Sequence, residues 1–305
     1  MKRIISLVLF LLPLSIAAKV LLITHSYNRP DFIEIQHQTF KKLLHDDYEL
    51  VVFNDAPDHT MMNRISAMCA RYDIRCIRIP QEIHTRPYLP RVPHDNLQQT
   101  NIRHANCVQY SLDTIGFDHD GIVFILDSDM FLIRPFSISE YMKDKDIAAF
   151  IKRAPNSVYC LCPALCILSM NKLPHKQTLN FNCGTINGSP ADSGGWTYYY
   201  LIKHPEVTVK QVDVLYSHQL LLEDKHINQP ANNSVPDNSK IAFYTNLGFN
   251  DHEINFLLKK PDTFEFYLDH YFLHYRDGSN DTHQSPHYHT HKFQVFSEFI
   301  NTIKI

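Results

Sequence analysis

Glycine is scarce in this chain. It has eight, and four of them lie between Asn180 and Gly195, so one shaped loop is expected there and few elsewhere. Tryptophan is represented by Trp196 alone. Neither sign of charge is in excess: 29 Lys and Arg against 32 Asp and Glu leave a net of −3. No broad cationic field exists to attract nucleic acid, and a nucleic-acid partner is set aside. The apolar stretch from Ile4 to Leu12 stops short of the roughly 20 residues that a membrane-spanning helix needs. No internal repeat is present, which excludes solenoids and propellers. The seven cysteines lack the paired C-x2-C knuckles of structural zinc, so Cys160, Cys162, Cys166 and Cys183 read as buried thiols or disulfide partners.

What is there suffices for a sizeable core, with 44% of 305 residues hydrophobic, as expected of one large domain or two fused halves. Lys2-Arg3, the apolar run and the small residues Ser15-Ile16-Ala17-Ala18 follow the order of a secretory leader. Residues 1–18 are therefore expected to direct export or entry into the secretory lumen, or to serve as a short anchor through residues 4–18. The sequons at Asn187, Asn232 and Asn280 matter only in a host that glycosylates exported chains.

Beyond the leader the pattern alternates. Lys19–Thr24 is a short apolar run suited to a buried parallel strand, and a ligand-facing loop is expected from His25 to Pro30. Helical spacing follows, then the strand Tyr48–Phe53 ending at Asn54-Asp55, which completes strand, helix and strand within roughly 35 residues, one βαβ unit. Met62–Tyr72 reads as helix, Ile74–Ile79 as strand, the proline-rich stretch to Gln99 as a loop, and Ile102–Ile115 as helix closed at Gly116. Gly121–Leu126 is the strongest strand pattern in the chain and runs directly into Asp127-Ser128-Asp129. Farther on, a strand is expected near Ile147–Ile151, another at Leu165–Leu168, a helix at Trp196–Ile202 and an exposed excursion at Asn228–Lys240. The expected fold class is α/β, a mixed and mainly parallel sheet flanked by helices.

In an open parallel sheet, ligands sit beyond the carboxyl ends of the strands. On an extended strand, Asp127 and Asp129 would face one side about 7 Å apart, and two like charges so placed call for a cation. Magnesium or manganese is the natural partner, since both take carboxylates together with substrate phosphate oxygens. The bland alternative is a turn in which aspartates serve as local hydrogen-bond acceptors.

The segment Ile122-Val123-Phe124-Ile125-Leu126-Asp127-Ser128-Asp129 resembles the D-x-D strand of GT-A glycosyltransferases, and the resemblance is good over residues 19–135. It implies a Rossmann-like domain over 19–305, with a nucleotide-sugar half at 19–135 and an acceptor and metal-closing half at 136–305. It implies a UDP- or GDP-sugar donor and a glycan, protein or lipid acceptor. Thr24, Ser26, Tyr27, Asn28 and Arg29 of the first loop, together with Asp55, match positions that hold base and ribose. Arg103 and His104 lie on a helix beside the donor. Asp127 and Ser128 would contact ribose or metal-bound water, and Asp127 and Asp129 would hold the metal.

Several such families have a late histidine as a further metal ligand, and His274 stands there, with activity expected to fall below about pH 6.5 as the ring is protonated. Arg276 is a candidate phosphate contact. Asp192, in the glycine-rich loop, would be the general base toward the acceptor or the cap of the helix after it. His287, His289 and His291 alternate as three imidazoles would on one strand face.

Two alternatives from other classes stand beside this reading. One is a phosphotransferase of the haloacid dehalogenase kind, whose D-x-D lies nearer the N-terminus. The other is an exported binding or effector protein that keeps the fold without turnover.

Overall fold

The computed structural model describes residues 19–85, 99–216, 237–246, 248–251, 254–255, 265–268, 271–275, 278 and 286–302. The leader and Arg276 lie outside them. Among the described residues no helix is long and apolar enough to cross a membrane.

The order opens with β1 (Val20–Ser26), α1 (Pro30–Leu43), β2 (Tyr48–Asn54), α2 (His59–Arg71) and β3 (Arg75–Arg78). A short α3 (Glu82–Thr85) and α4 (Gln99–Ser111) lead to β4 (Ile122–Asp127) and β5 (Met130–Leu132). Then come α5 (Ile138–Tyr141), β6 (Ile147–Ala154), β7 (Val158–Ser169), the small pair β8 (Gly184–Ile186) and β9 (Ser189–Ala191), and α6 (Thr197–Lys203). The remainder includes β10 (Val209–Gln211), β11 (Val214–Tyr216), α7 (Asp237–Asn246), β12 (Glu265–Tyr267), β13 (Phe272–His274) and the helix Pro286–Thr302.

The main sheet has seven strands in the order β10-β6-β7-β4-β1-β2-β3. Its pairings are parallel except around β7, which runs antiparallel to both β4 and β6. Strands from both expected halves therefore share one sheet. Residues two apart on a strand face the same side. Leu22, Val52, Phe124 and Leu126 accordingly face α1 and α2 with Ile33, Phe40 and Ile65, while Leu21, Ile23, Val51, Phe53, Val123 and Ile125 face α4 and α6 with Val108, Leu112 and Leu201.

A second sheet, β11-β12-β13-β5, is antiparallel. The chain passes from the large sheet to the small one at Asp127-Ser128-Asp129: β4 ends on Asp127, Ser128 and Asp129 form a turn, and β5 begins at Met130. A third apolar cluster of Phe32, Phe131, Leu273, Tyr275 and Phe296 ties α1 and the helix Pro286–Thr302 to this junction.

Several expectations are corrected here. The β1 strand runs on through Ser26, and the β7 strand begins at Val158, well before Leu165. The interval after Pro80 carries α3, and most of the expected excursion lies outside the described residues, with 237–246 helical. Residues 287, 289 and 291 lie on a helix, where two positions advance about 200°, so the alternation sets 289 away from the other two. Among the described residues no disulfide forms, and no zinc-like group gathers around Cys183.

Candidate metal centre

Asp129 does not reach Asp127 along a strand pleat. The turn brings the two carboxylates together, and β13 supplies the third group: His274 pairs with Met130 across the small sheet, and the Tyr275 amide donates to the Asp129 carbonyl at 2.9 Å. Ligand atoms of Asp127, Asp129 and His274 all lie within 4.8 Å of one another. His274 Nε2 stands 3.4 Å from Asp129 Oδ1. The other Asp129 oxygen, Oδ2, accepts from the Gly278 amide at 3.0 Å, which leaves Oδ1 as the oxygen facing the imidazole.

Glu265 is a member that sequence reading misses. It sits opposite His274 in the β12–β13 pair, is buried, and its Oε2 accepts from His274 Nδ1 at 2.8 Å. A carboxylate on Nδ1 fixes the ring so that Nε2 is the nitrogen turned to the cluster, the usual second-layer support of a ligating histidine. The available signal was a single carboxylate inside Phe264-Glu265-Phe266-Tyr267-Leu268.

The electrostatics suit a cation. Burial lowers the pKa of His274, but Asp129 and Glu265 outweigh it and hold the ring up to about 10. Burial raises Asp127, yet His104, His274 and His25 prevail and bring it to about 2. Two carboxylates and an imidazole at this spacing are a donor set for a divalent ion that accepts both oxygen and nitrogen.

The raised His274 pKa moves the expected pH window. Without metal the ring is charged at neutral pH. A folded pKa near 10 against the ordinary 6.5 gives a stabilisation complete below about pH 6.5 and lost as pH rises toward 10. The metal-stripped protein is therefore expected to unfold at lower temperature at pH 9 than at pH 7, more so than His274→Gln. Over the same interval cation affinity is expected to rise, because a ligand must be the neutral ring. Affinity that is flat from pH 7 to 9 would remove His274 from the ligand set.

Around the cluster, α4 contributes His104, whose Nε2 lies 3.0 Å from Asp127 Oδ1 and whose Nδ1 is 3.4 Å from Ser193 Oγ. Burial lowers His104, and Asp127 more than restores it, so its net shift is upward. Beyond Ser193 stands Asp192. It does not cap α6, which has no side-chain cap. Its Oδ2 accepts from Lys152 Nζ at 2.7 Å and its Oδ1 from the Ser193 amide at 2.6 Å. Burial raises the Asp192 carboxyl, but Lys152 overrides it and the pKa falls. The loop that carries Asp192 requires Gly194: its φ is +88°, and a Cβ there would lie 1.9 Å from the Leu161 carbonyl oxygen.

The first-loop residues divide. Thr24 and Ser26 belong to β1 and are fully buried on its α1 face, and neither hydroxyl has a hydrogen-bond partner among the described residues. Their side chains are not among the groups that converge on Asp127, Asp129 and His274. Tyr27, Asn28 and Arg29 are half-buried beyond the strand end. The Arg29 guanidinium is engaged with Asp31 at 2.6 Å and with the Gly278 carbonyl at 3.0 Å, and it stacks 3.7 Å above the Phe32 ring. It thus fastens the late segment that touches Asp129. Ser128 is buried within the turn. Trp196 packs edge-on to Tyr199, 5.6 Å between ring centroids, beside the β8–β9 pair.

Asp55 and Arg103 meet. The Arg103 fork donates to both Asp55 oxygens at 2.5 and 2.8 Å and to its carbonyl at 2.9 Å. His84 Nε2 and Gln81 Nε2 add bonds to Oδ1 at 2.8 and 3.2 Å, and Arg103 lies 4.8 Å from the Tyr27 ring centroid. Burial raises Asp55, and the hydrogen bonds from His84 and Arg103 reverse it, so the carboxyl stays ionised. Asp55, His84 and Cys107 also cluster at metal-like spacing, but the guanidinium already neutralises that carboxylate. Asp55 is only 3% exposed. Asp55→Ala is therefore expected to cost about 3 kcal/mol in chemical denaturation, the scale for breaking a buried pair from one side, whatever it does to ligand affinity. A cost below about 1 kcal/mol would contradict a buried, paired Asp55.

The described residues thus form an α/β fold with a mixed, mainly parallel sheet, one antiparallel insertion at β7 and a carboxylate pair leaving β4. No protein-family model matches the chain, and no curated protein does. Solved structures do. A mannosyltransferase from Pyrobaculum calidifontis, in complex with GDP-Man and Mn2+, is 13% identical over 65% of this chain, with a TM-score of 0.40. The match spans 55% of that enzyme, about half its length. Glucosyl-3-phosphoglycerate synthase from Mycobacterium tuberculosis, in complex with Mn2+, UDP and glucosyl-3-phosphoglycerate, is 14% identical over 80% of each chain, with a TM-score of 0.39. The galactosyltransferase LgtC is 12% identical over 50% of this chain and 58% of its own, with a TM-score of 0.32.

Proposed function

We propose that this chain is a metal-dependent glycosyltransferase that moves a sugar from a UDP- or GDP-sugar to an acceptor hydroxyl. The observation that carries the reading is the convergence of Asp127, Asp129 and His274 within 4.8 Å at the carboxyl end of β4. These three residues would hold manganese or magnesium, which stabilises the negative charge that a departing nucleoside diphosphate leaves on its phosphate oxygens.

The chain's own residues supply the rest. Tyr27, backed by Arg103, offers an aromatic face beside the β1 and β2 ends, where base and ribose would lie, and Asp55 holds that arginine in place. Asn28 and Ser128 follow the ends of β1 and β4, near which the diphosphate would lie. On the other side, His104, Ser193, Asp192 and Lys152 form a polar wall leading away from the cation. Asp192, its basicity reduced by Lys152, is better suited to accept a hydrogen bond from a sugar hydroxyl than to remove a proton. The acceptor, a glycan, protein or lipid, would approach along this wall. Export through residues 1–18, or anchoring by residues 4–18, would set the compartment.

The phosphotransferase alternative fits less well, because the motif leaves the fourth strand and its first carboxylate faces His104. The test is release of nucleotide from a panel of UDP- and GDP-sugars. Turnover with at least one donor, dependent on Mn2+ and abolished by chelation, is expected. Donor affinity without release would favour the non-catalytic binding protein, and neither affinity nor release would end the proposal.

A further inference from the structure

The buried face of α1 reads Phe32, Ile33, Gln36, Thr39, Phe40 and Leu43. Gln36 is 0% exposed, and a buried amide is disfavoured unless its hydrogen bonds are made. Its Nε2 makes two, donating to the Asp127 carbonyl at 2.9 Å and to the Met130 carbonyl at 2.9 Å, while its Oε1 has no hydrogen-bond partner among the described residues. One –NH2 group thereby spans the Ser128-Asp129 turn and uses both of its donor hydrogens. The opposite side of the same turn is fixed by the small sheet, through the Tyr275 amide on the Asp129 carbonyl and the Gly278 amide on Asp129 Oδ2.

From this bracing we infer that Gln36 is a positioning residue for the cation site: it holds the backbone on both flanks of the turn so that the Asp127 and Asp129 carboxylates converge on His274. The inference rests on the metal reading given above. Gln36 is too far inside the fold to touch a ligand itself, so it acts through the turn. Nothing in its sequence context marks it except a polar residue within an apolar helical face, and its two acceptors are distant in the chain. Residues that orient ligands in this indirect way typically alter metal affinity by about 10- to 100-fold when removed.

The experiment measures Mn2+ dissociation constants of the full chain from the electron paramagnetic resonance of free Mn2+, with thermal unfolding recorded in parallel. Gln36→Met keeps length and apolar volume while deleting both donors, and is expected to weaken Mn2+ at least about tenfold. Gln36→Asn keeps the amide but shortens its reach, and should weaken Mn2+ comparably; it serves as the readout if the methionine variant does not fold. Phe40→Leu, on the same helix face but with no hydrogen bond to the turn, should lower the unfolding midpoint and leave Mn2+ affinity unchanged. Wild-type affinity in the folded Gln36 variants, or equal weakening by Phe40→Leu, overturns the positioning role while leaving the metal reading intact. Absence of Mn2+ affinity in the wild type overturns the metal reading, and this inference with it.

Discussion

Asp129→Asn is expected to abolish cation-dependent turnover, by at least about a thousandfold, since it removes the charge that faces both the cation and the substrate phosphates. A kinetic measurement with saturating donor and a Mn2+ titration checks it; activity within tenfold of wild type would exclude Asp129 as a ligand. The structure adds a second consequence. The sequence alone suggests an open site whose loss would leave stability unchanged, but Asp129 is only 8% exposed, accepts from Gly278 and faces the His274 imidazolium. The metal-free variant is therefore expected to lose about 1–2 kcal/mol as well, the scale of a buried charge-assisted hydrogen bond.

Gly278→Ala is expected to be nearly as damaging through a different route. A Cβ at this position would lie 2.6 Å from Phe32 Cε2, and 2.9 Å from both Cβ and Oδ2 of Asp129. The backbone must retreat, which breaks the Gly278 contacts to Asp129 and Arg29 together. Overpacking of this kind costs about 1–3 kcal/mol, and here the displaced group is a metal ligand, so Mn2+ affinity should fall at least about tenfold. Calorimetric titration of Mn2+ beside a denaturation curve separates the two effects. Unchanged Mn2+ affinity would mean that Asp129 is held without Gly278.

Local patterns carried most of the fold. The apolar runs at Val20, Tyr48 and Ile122 with helical spacing between them suffice for parallel strands, because each run is longer than a turn and is closed by polar residues, but not for the placement of β4 beside β1. The long β7 was underestimated since Tyr159, Cys160 and Cys162 lie in a stretch broken by Pro163, which reads as a boundary. In the candidate site, Asp127 and Asp129 were legible as a motif at a strand end, and His274 only through the resemblance. Glu265 and Gln36 were not legible, because each acquires its role from a partner across the small sheet or across the junction, which spacing along the chain does not encode. Asp192 was legible as a loop carboxylate, but its pairing with Lys152 depends on β6 lying beside β9, again a long-range contact.

Asp127, Asp129 and His274 are proposed to hold together a divalent cation for a nucleoside diphosphate. Anomalous diffraction from crystals grown with Mn2+ and UDP or GDP tests it directly. One manganese peak is expected within bonding distance of Asp129 Oδ1 and His274 Nε2, beside Asp127, with diphosphate oxygens completing its shell. Nucleotide bound with no manganese at these three residues, or manganese bound elsewhere while the His274 ring stays paired to Asp129, would contradict it.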